Sequence, residues 1–431
     1  MIKKPKELLP RDFFKFWLGE SISFVGSEVS RFSLPLIFVL SLHASALQLG
    51  WATAAELGPV IMLGLWSGVW IDRLPKRQIL MGWDFLAAML IGIVPLAATM
   101  HVLSISLLYA VIVLLGCVSA FGAAWHAFLP ELVNSDSLGR ANSWLTASAF
   151  VASLIGPGLA ALLVEWLTPP GAILVDAVSY LVALVCLARI RHHTHRPDPR
   201  SDSARRGTGA EITEGLKILW ANSLMRAVTL VTLTPSIVST MWRVLYVLYV
   251  IRYLKLTVPI YGILAMAGAL EGIMGAVVRT RLWLRWAIGP LTGVASLLFV
   301  AGFGGVAMTT AHQDHGVTID ILAISAVVSG LSSSILDINL NTLRQLTTPG
   351  QFLGRIFTTQ RIAMSVLAII GGLSAGVFVD TLGYKYCTDH CPKPHSAPGD
   401  TGQWSMENQR EIGCLTQLLT PRPTTGNFCR E

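Results

Sequence analysis

Several ionisable residues stand inside segments of the chain that are otherwise apolar. Glu28 and Arg31 are the central pair, because they lie three residues apart in the apolar stretch that follows Lys15. Side chains with this spacing share one face of a helix and can form an ion pair. Ser27 adds a hydroxyl to nearly the same side. Because a carboxyl group at membrane depth can take up and release a proton, we predict that Glu28 takes part in proton coupling.

A polar stripe along a helix also has a purely structural interpretation. Ser23, Ser27 and Ser30 recur along the helix of Glu28, and serine commonly joins packed membrane helices. Packing by serine does not require a carboxylate, however, and an ionised side chain at the centre of a bilayer costs about 2.5–3.5 kcal/mol on insertion scales. We therefore favour a functional role for Glu28, with Ser27 and Arg31 as candidate cavity residues.

Three more ionisable residues lie in the middle of apolar segments. Glu56 and Glu271 are predicted as further proton carriers, and a structural contact with a neighbouring Arg or amide is the equal alternative. Arg243 is a candidate for binding an anionic group of a substrate or for completing a charge pair between two halves of the molecule.

The helices that carry these residues can be read from the lengths of the apolar stretches. Hydrophobic residues make up 53% of the 431 residues and charged residues only 13%, which indicates an all-α integral membrane protein. A helix of about 20 apolar residues crosses a bilayer. The eleven predicted spans are 14–41, 46–71, 79–100, 105–128, 142–167, 171–190, 225–250, 258–281, 288–309, 317–340 and 357–380.

Lys and Arg are concentrated in alternate loops between these spans. This pattern is typical of cytoplasmic loops, so the net charge of +7 does not indicate nucleic acid as a partner. We predict a multi-pass protein of the inner (plasma) membrane with a cytoplasmic N-terminus, surrounded by the lipid bilayer.

An internal repeat divides the spans into two halves. Three features recur with one constant offset in residue number: Leu138-Gly-Arg140 at Leu353-Gly-Arg355, Gly156 at Gly371, and Glu165 at Asp380. Parallel repeats of this size are typical of secondary transporters with a substrate site between the halves. The same offset places Arg243 at the repeat position of Glu28.

The repeat predicts four regions of the chain. Residues 1–190 form an N-terminal bundle of six helices, and 191–217 form a basic cytoplasmic linker. Residues 218–383 form a C-terminal bundle of five helices. The polar tail, 384–431, contains four cysteines and has the composition of a disordered segment.

The segment from Gly68 to Arg77 carries a family resemblance. It is similar to the first cytoplasmic loop signature of the major facilitator superfamily, Gly-x-x-x-Asp-Arg-x-x-basic-basic. Further similarity to the branch of macrolide, multidrug and siderophore exporters lies in Leu129-Pro-Glu-Leu-Val133, Leu138-Gly-Arg-Ala-Asn142, Gly156-Pro-Gly158, Val175-Asp-Ala-Val-Ser-Tyr180 and Leu343-Arg-Gln-Leu346.

The resemblance implies two pseudo-symmetric helix bundles and export of a small amphipathic molecule by proton antiport, by a monomer. It also implies that the first cytoplasmic loop gates the molecule, because in the family its aspartate meets the positive end of a helix in the other half. The positions of this sequence that match the gating motif and its charge cluster are Gly68, Asp72, Arg73, Arg77, Asp84 and Arg140.

The sequence departs from the family pattern at three places. Ala87 stands where the family often has an Arg, and Arg279 stands where the loop aspartate would recur in the second half. After Gly383 no segment is apolar enough to form a twelfth span. A degenerate relative that does not transport, with a replaced C-terminus, is therefore an alternative function.

A membrane-embedded enzyme is the alternative from another class. The sequence contains no His-Glu-x-x-His helix or similar metal-binding spacing. Cys387 and Cys391 have no second pair at a customary distance. We therefore predict a protein without enzymatic activity, metal or cofactor, whose partners are a small-molecule substrate and protons.

Overall fold

Each of the eleven predicted spans has a matching helix in the computed structural model. The structure describes residues 9–122, 124–190, 223–282, 288–307, 309, 315–347, 353–379 and 381, and these residues contain no β-strand. The helices are α1 (Arg11–Leu36), α2 (Ala46–Arg73), α3 (Lys76–Thr99), α4 (Ile105–Ser119), α5 (Ala124–Leu132), α6 (Ser135–Ala172), α7 (Leu174–Ala188), α8 (Ser223–Leu248), α9 (Val258–Leu282), α10 (Ile288–Ala307), α11 (His315–Thr347) and α12 (Leu353–Phe378).

By length and composition, eight helical segments among the described residues can cross a membrane. Helices α4 and α7 and the first part of α9, Val258–Leu270, are apolar but shorter. The predicted all-helical membrane protein is thus confirmed. The linker, 191–217, and the tail, 384–431, lie outside the described residues, so the four-region division and the missing twelfth helix stay predictions.

The fourth predicted span, 105–128, was wrong as one continuous helix. The chain turns after Ser119, and α5 begins at Ala124. At the turn, Gly122 lies so close to the indole of Trp83 that an added Cβ would be 2.7 Å from the ring atom Cη2. A side chain at this position would displace the indole, so glycine allows the turn to pack on α3.

Helix α6 contains a kink that confirms the predicted boundary at residue 167. Thr168 has φ of 68° and ψ of 161°, and Pro169 and Pro170 follow it. A proline disfavours the helical conformation at the residue before it. The long straight part of α6 therefore ends before Thr168, and α7 starts from the short turn beyond the prolines.

The repeat is visible in the backbone geometry of the segment that follows the first helix of each half. Each of α1 and α8 continues into a π-helical turn, Ile37–Ser41 and Tyr249–Tyr253. Residues with positive φ follow, His43 at 47° and Lys255 at 51°. Three backbone hydrogen bonds of the first half have counterparts in the second half. The bond from Leu42 N to Ile37 O corresponds to the bond from Leu254 N to Tyr249 O, and that from Ala44 N to Phe38 O corresponds to that from Leu256 N to Val250 O. The bond from Leu49 N to Ser45 O corresponds to the bond from Tyr261 N to Thr257 O.

These matched turns define a different offset from the one in the later part of each half. Every matched pair here has the same separation in residue number as Leu42 and Leu254, which is three less than the separation of Leu138 and Leu353. The helix starts agree with the shorter offset, since α2 and α9 begin at Ala46 and Val258. The second half therefore contains three extra residues between these turns and Leu353. Residues of α1 and α8 must accordingly be matched at the shorter offset.

The two ends of the molecule differ in how the halves are joined. We call the end with the α2–α3 turn and the start of α1 the basic end, and the end with the turns after α1 and α8 the distal end. At the distal end one apolar cluster contains buried residues from both halves, including Phe32 and Leu36 from α1 and Val247 and Val250 from α8 and its turn. Contact between the halves is therefore continuous at this end.

The basic end has a separate apolar cluster in each half. Phe13, Phe16 and Phe128 belong to a cluster of N-terminal residues only. Leu291 and Leu336 belong to a cluster of C-terminal residues only. The described cores of the two halves are thus fused at the distal end and divided at the basic end.

Two helix pairs join the halves, α2 with α12 and α6 with α9. The repeat exchanges the members of these pairs, which gives the molecule its pseudo-two-fold arrangement. Glycines allow close approach near the distal end, where a Cβ added to Gly50 would meet the backbone of Gly372 and one added to Gly262 would meet Ala161.

Candidate functional site

A cavity of about 380 Å³, called the central cavity below, is lined mainly by the N-terminal half. Helices α1, α2, α3, α4 and α7 form most of its wall, and the second half contributes Arg243 and Val244 of α8. Most of the lining is apolar. Its polar and charged members include Ser27, Arg31, Glu56, Asp176, Tyr180 and Arg243.

Glu28 and Arg31 form the ion pair that the sequence predicts. The Nη1 of Arg31 donates to Oε1 of Glu28 at 2.6 Å. The Arg31 side chain is 67% exposed and lines the cavity, whereas the Glu28 side chain is 17% exposed. Glu28 therefore lies behind the cavity wall and reaches the cavity through its partner.

Glycine at position 156 explains how Glu28 is held. A Cβ added to Gly156 of α6 would overlap the Cβ of Glu28. The repeat glycine, Gly371 of α12, lies equally close to the backbone of Ile237 in α8. The matched glycines thus have the same function in both halves, since each lets a long helix pack directly on the first helix of its half.

The serine stripe serves both of the roles that the sequence leaves open. Ser23, Ser30 and Ser33 are buried against neighbouring helices. Ser27 and Ser30 both line the central cavity, and the Oγ of Ser27 is 3.1 Å from the hydroxyl of Tyr180. Contact between Ser27 and a substrate stays a prediction.

Asp176 is a cavity carboxylate that the sequence reasoning missed. It is only 1% exposed, and the Ser179 hydroxyl lies 3.3 Å from its Oδ1. Gly26 of α1 admits it, because an added Cβ would lie 2.8 Å from the same oxygen. The available signal was an acidic residue in the first turn of the apolar helix α7.

Arg243 occupies a different repeat position from the predicted one. At the offset that relates Leu42 to Leu254, Arg243 corresponds to Arg31, and Thr240 corresponds to Glu28. The contacts agree, since Nη2 of Arg243 lies 3.4 Å from Oγ1 of Thr240 with the same three-residue spacing. The predicted match of Arg243 with Glu28 was wrong because the longer offset, taken from the later part of each half, does not apply to α1 and α8.

The remaining proton-carrier candidates are separated in the structure. Glu56 of α2 is exposed and lines the central cavity, where it forms no ion pair with Arg243. Glu271 lies on α9, but its side chain is outside the described part of the structure.

A second cavity of about 560 Å³ adjoins the first toward the basic end. It shares Ser27 and Tyr180 with the central cavity and adds the carboxyl groups of Glu20 and Asp84. Asp84 is 6% exposed, and its Oδ2 has no hydrogen-bond partner. The second cavity thus adds a half-buried acid, Glu20, and a buried acid, Asp84, to which the sequence reasoning gave only a place in the loop cluster.

The charge cluster expected around Asp84 is not assembled among the described residues. The ion pairs they contain are Lys15–Asp12, Arg31–Glu28 and Lys76–Glu131. Arg140 lies on α6, which packs mainly on α1 and α9, while α3 packs on α4 and α7. Arg140 and Asp84, both of which the structure describes, form no ion pair with each other.

Arg77, the last residue of the loop signature, makes hydrogen bonds that the structure describes. Its Nε donates to the carbonyl of Leu187 at 3.0 Å, and its Nη2 donates to the carbonyl of Ala188 at 2.8 Å. These carbonyls end α7, where a cation is favoured by the helix dipole. Arg77 therefore joins α3 to α7. The side chains of Gly68, Asp72 and Arg73 lie outside the described residues.

The distal end closes the central cavity. Phe32 of α1 packs on Tyr261 of α9 with ring centroids 5.0 Å apart. Arg252 donates to the carbonyl of Val39 at 3.2 Å across the halves. Toward the basic end, Ile61 of α2 and Arg361 of α12 line the second cavity. The two adjoining cavities have room for a small molecule.

Comparisons with known proteins agree with this architecture. The model of the Major Facilitator Superfamily matches residues 16–372. Macrolide efflux protein A of Streptococcus pyogenes is 21% identical over 375 residues, which cover 87% of this chain and 91% of that protein. Multidrug efflux pump Tap of Mycolicibacterium fortuitum is 25% identical over 366 residues, which cover 83% of this chain and 87% of that protein.

A solved structure shares the fold at low sequence identity. It is a bacterial homologue of the human lysosomal transporter Spinster, in an inward-facing and unoccupied conformation. The two chains superimpose with a TM-score of 0.71 at 14% identity, with 95% of this chain and 92% of the other covered. The order and packing of the helices are therefore those of a known transporter fold.

Proposed function

Since the chain belongs to the major facilitator superfamily, a family of membrane transporters, we propose that it exports a small amphipathic molecule by proton antiport with alternating access. The observation that carries the proposal is a cavity that contacts both halves, with the arginine of an ion pair in its wall. The efflux proteins among its relatives support export as the direction.

The Glu28–Arg31 pair is the proposed coupling element. Arg31 faces the cavity, and Glu28 lies behind it against α6. A proton bound to Glu28 removes the negative charge that holds Arg31, so the charge of the cavity wall changes by one unit. Protonation of Glu28 therefore alters how Arg31 meets a charged substrate, which links the two binding events. Glu56 and Glu271 are the further proposed proton carriers.

The loop charges support an orientation with the basic end in the cytoplasm. Arg73, Lys76 and Arg77 lie in or beside the α2–α3 turn at that end, and cytoplasmic loops are enriched in such residues. In this orientation the fused distal end faces outward, and the proposed substrate enters from the cytoplasmic side. We further propose that the protein lies in the inner membrane, acts as a monomer and has no enzymatic activity.

Substrate accumulation in an exporter-deficient host tests the proposed function. Cells that express the chain should accumulate less of at least one amphipathic compound than control cells, and the difference should disappear when the proton gradient is collapsed. If no compound in a broad set shows this difference although the chain is inserted in the membrane, the chain does not export such compounds.

The Glu28→Gln variant then tests the coupling element. We expect it to insert normally and to lose proton-driven efflux, because glutamine does not titrate. Glu165→Gln is the matched control, since Glu165 is an exposed carboxylate of α6 outside the described cavities. Normal proton-driven efflux by a well-inserted Glu28→Gln protein would remove Glu28 from the mechanism.

A further inference from the structure

We propose that the central cavity binds a carboxylate of its substrate between two symmetry-related arginines, Arg31 and Arg243. The proposal rests on the proposed function in one respect, namely that this cavity is the substrate site. It adds the chemical class of the substrate, an amphipathic anion, and assigns the anionic group to the two guanidinium groups.

The corrected repeat register is the first observation. Arg31 and Arg243 correspond at the shorter offset, which the backbone turns of both halves define. Each lines the central cavity, one from α1 and one from α8. Both side chains are exposed. Two equivalent cations thus reach the same space from opposite halves of the molecule.

The second observation is that Arg243 lacks the partner that Arg31 has. Arg31 donates to a carboxylate at 2.6 Å. Arg243 has a neutral hydroxyl of Thr240 at 3.4 Å, and no ion pair with a described carboxylate. A guanidinium carries five N–H donors in a planar fork that suits carboxylates. An unpaired arginine inside a membrane protein is costly, so its presence at a cavity indicates a charged ligand.

Neither acid of the cavity wall, Asp176 or Glu56, forms an ion pair with Arg243. Asp176 is 1% exposed with the Ser179 hydroxyl 3.3 Å from its Oδ1, so the cavity reaches little of its carboxylate. Glu56 is exposed but belongs to α2 of the other half. Pairing between Glu56 and Arg243 in another conformation is the rival explanation for the unpaired cation.

Apolar side chains complete the site. Leu34, Phe38, Trp83 and Ile91 line the same cavity, and its volume of about 380 Å³ is in the usual range for small-molecule sites. A ligand with an aromatic body and one carboxylate would place its ring on these residues and its charge on the arginines.

Equilibrium dialysis of the purified full chain in detergent provides the test. The probes are naphthalene-1-acetate, its uncharged amide and the cation 1-naphthylmethylamine, which share one aromatic body. Wild type should bind the acetate about 10- to 100-fold more tightly than the amide, the range expected for hydrogen bonds between charged groups. Arg243→Gln should lose most of this preference and keep the affinity for the amide.

Three more variants separate recognition of the carboxylate from effects on folding and from a gate formed by Glu56 and Arg243. Thr240→Val is the matched control and should keep the preference, because it removes the described neighbour of Arg243 but not the cation. Arg243→Lys should keep part of the preference, since it retains charge without the fork, and it replaces Arg243→Gln in the test if that variant does not fold. Glu56→Gln should strengthen acetate binding, because it removes a negative charge from the wall of the same cavity.

The outcomes are decisive in both directions. A wild-type preference for the acetate that depends on Arg243 supports the proposal. Equal binding of acetate and amide, a preference for the amine, or a preference that survives both Arg243→Gln and Arg31→Gln overturns it. Restoration of binding by exchanging the charges of Glu56 and Arg243 would assign these residues to a gate and also overturn it. Because the measurement uses no proton gradient, it can succeed or fail independently of proton-driven export.

Discussion

Replacing Gly50 by alanine should shift the molecule away from the conformation seen here. Gly50 lies where α2 meets α12 at the distal end, and an added Cβ would overlap the carbonyl oxygen of Gly372 and lie 2.9 Å from its carbon. Both obstacles are backbone atoms, so a side-chain rotation does not relieve the overlap. The helices must separate at the end that the structure shows closed.

The expected size of the shift follows from the cost of overpacking. Such a contact costs about 1–3 kcal/mol, and only the conformation with a closed distal end bears it. A change of that size alters the ratio of two conformations by about 5- to 150-fold. Alanine also favours the helix over glycine by about 1 kcal/mol, but this gain is the same in both conformations and leaves their ratio unchanged.

Gly58→Ala is the matched control on the same helix. No atom lies within 4 Å of a Cβ added at Gly58, so the substitution brings the helical preference of alanine without the overlap. A comparison of the two variants therefore isolates the contact between α2 and α12.

Cysteine accessibility measures the shift. In a background without the six native cysteines, Ser27→Cys places a thiol in the cavity wall. A membrane-impermeant maleimide added from the distal side should label it several-fold faster in Gly50→Ala than in Gly58→Ala. Equal labelling rates in two well-folded variants would refute the assignment of the α2–α12 contact as a closure of the distal end.

Two other substitutions test the loop signature. Asp72→Asn should abolish transport while membrane insertion and melting temperature stay normal, because the family resemblance gives this carboxylate a gating role; retained transport in an efflux assay would count against it. Arg77→Ala should lower the stability of the purified protein by about 1–3 kcal/mol, since two hydrogen bonds from a charged group to the end of α7 are lost. Arg77→Lys should lower the melting temperature less, and an unchanged melting temperature in Arg77→Ala would show that these bonds contribute nothing.

The helix layout was predictable because it depends on local properties. Apolar length places the spans, and spacing along one helix places Glu28 next to Arg31. These inferences need no knowledge of how helices pack. They held because both the length of a span and the face of a helix are fixed within a single element.

The site was less predictable because it depends on contacts between elements. Asp176 reaches the cavity region only because Gly26 lets α7 approach α1. The repeat position of Arg243 was predicted wrongly because the second half contains three extra residues in its middle. The sequence matches that set the offset all come after these residues, so they do not give the register of α1 and α8, which come before them. At the turn before α5, Gly122 likewise admits the indole of Trp83, which belongs to another helix.

The fused core at the distal end has a thermal consequence. Opening that end separates Phe32 and Val247 from their neighbours and brings apolar surface into contact with water. Hydration of apolar surface raises the heat capacity. The hydrophobic stabilisation of the closed distal end therefore weakens on cooling. If the basic end buries less apolar surface when it closes, the two conformations differ in heat capacity. Temperature alone would then change their proportions, and the rate of the cycle would follow a curved Arrhenius plot.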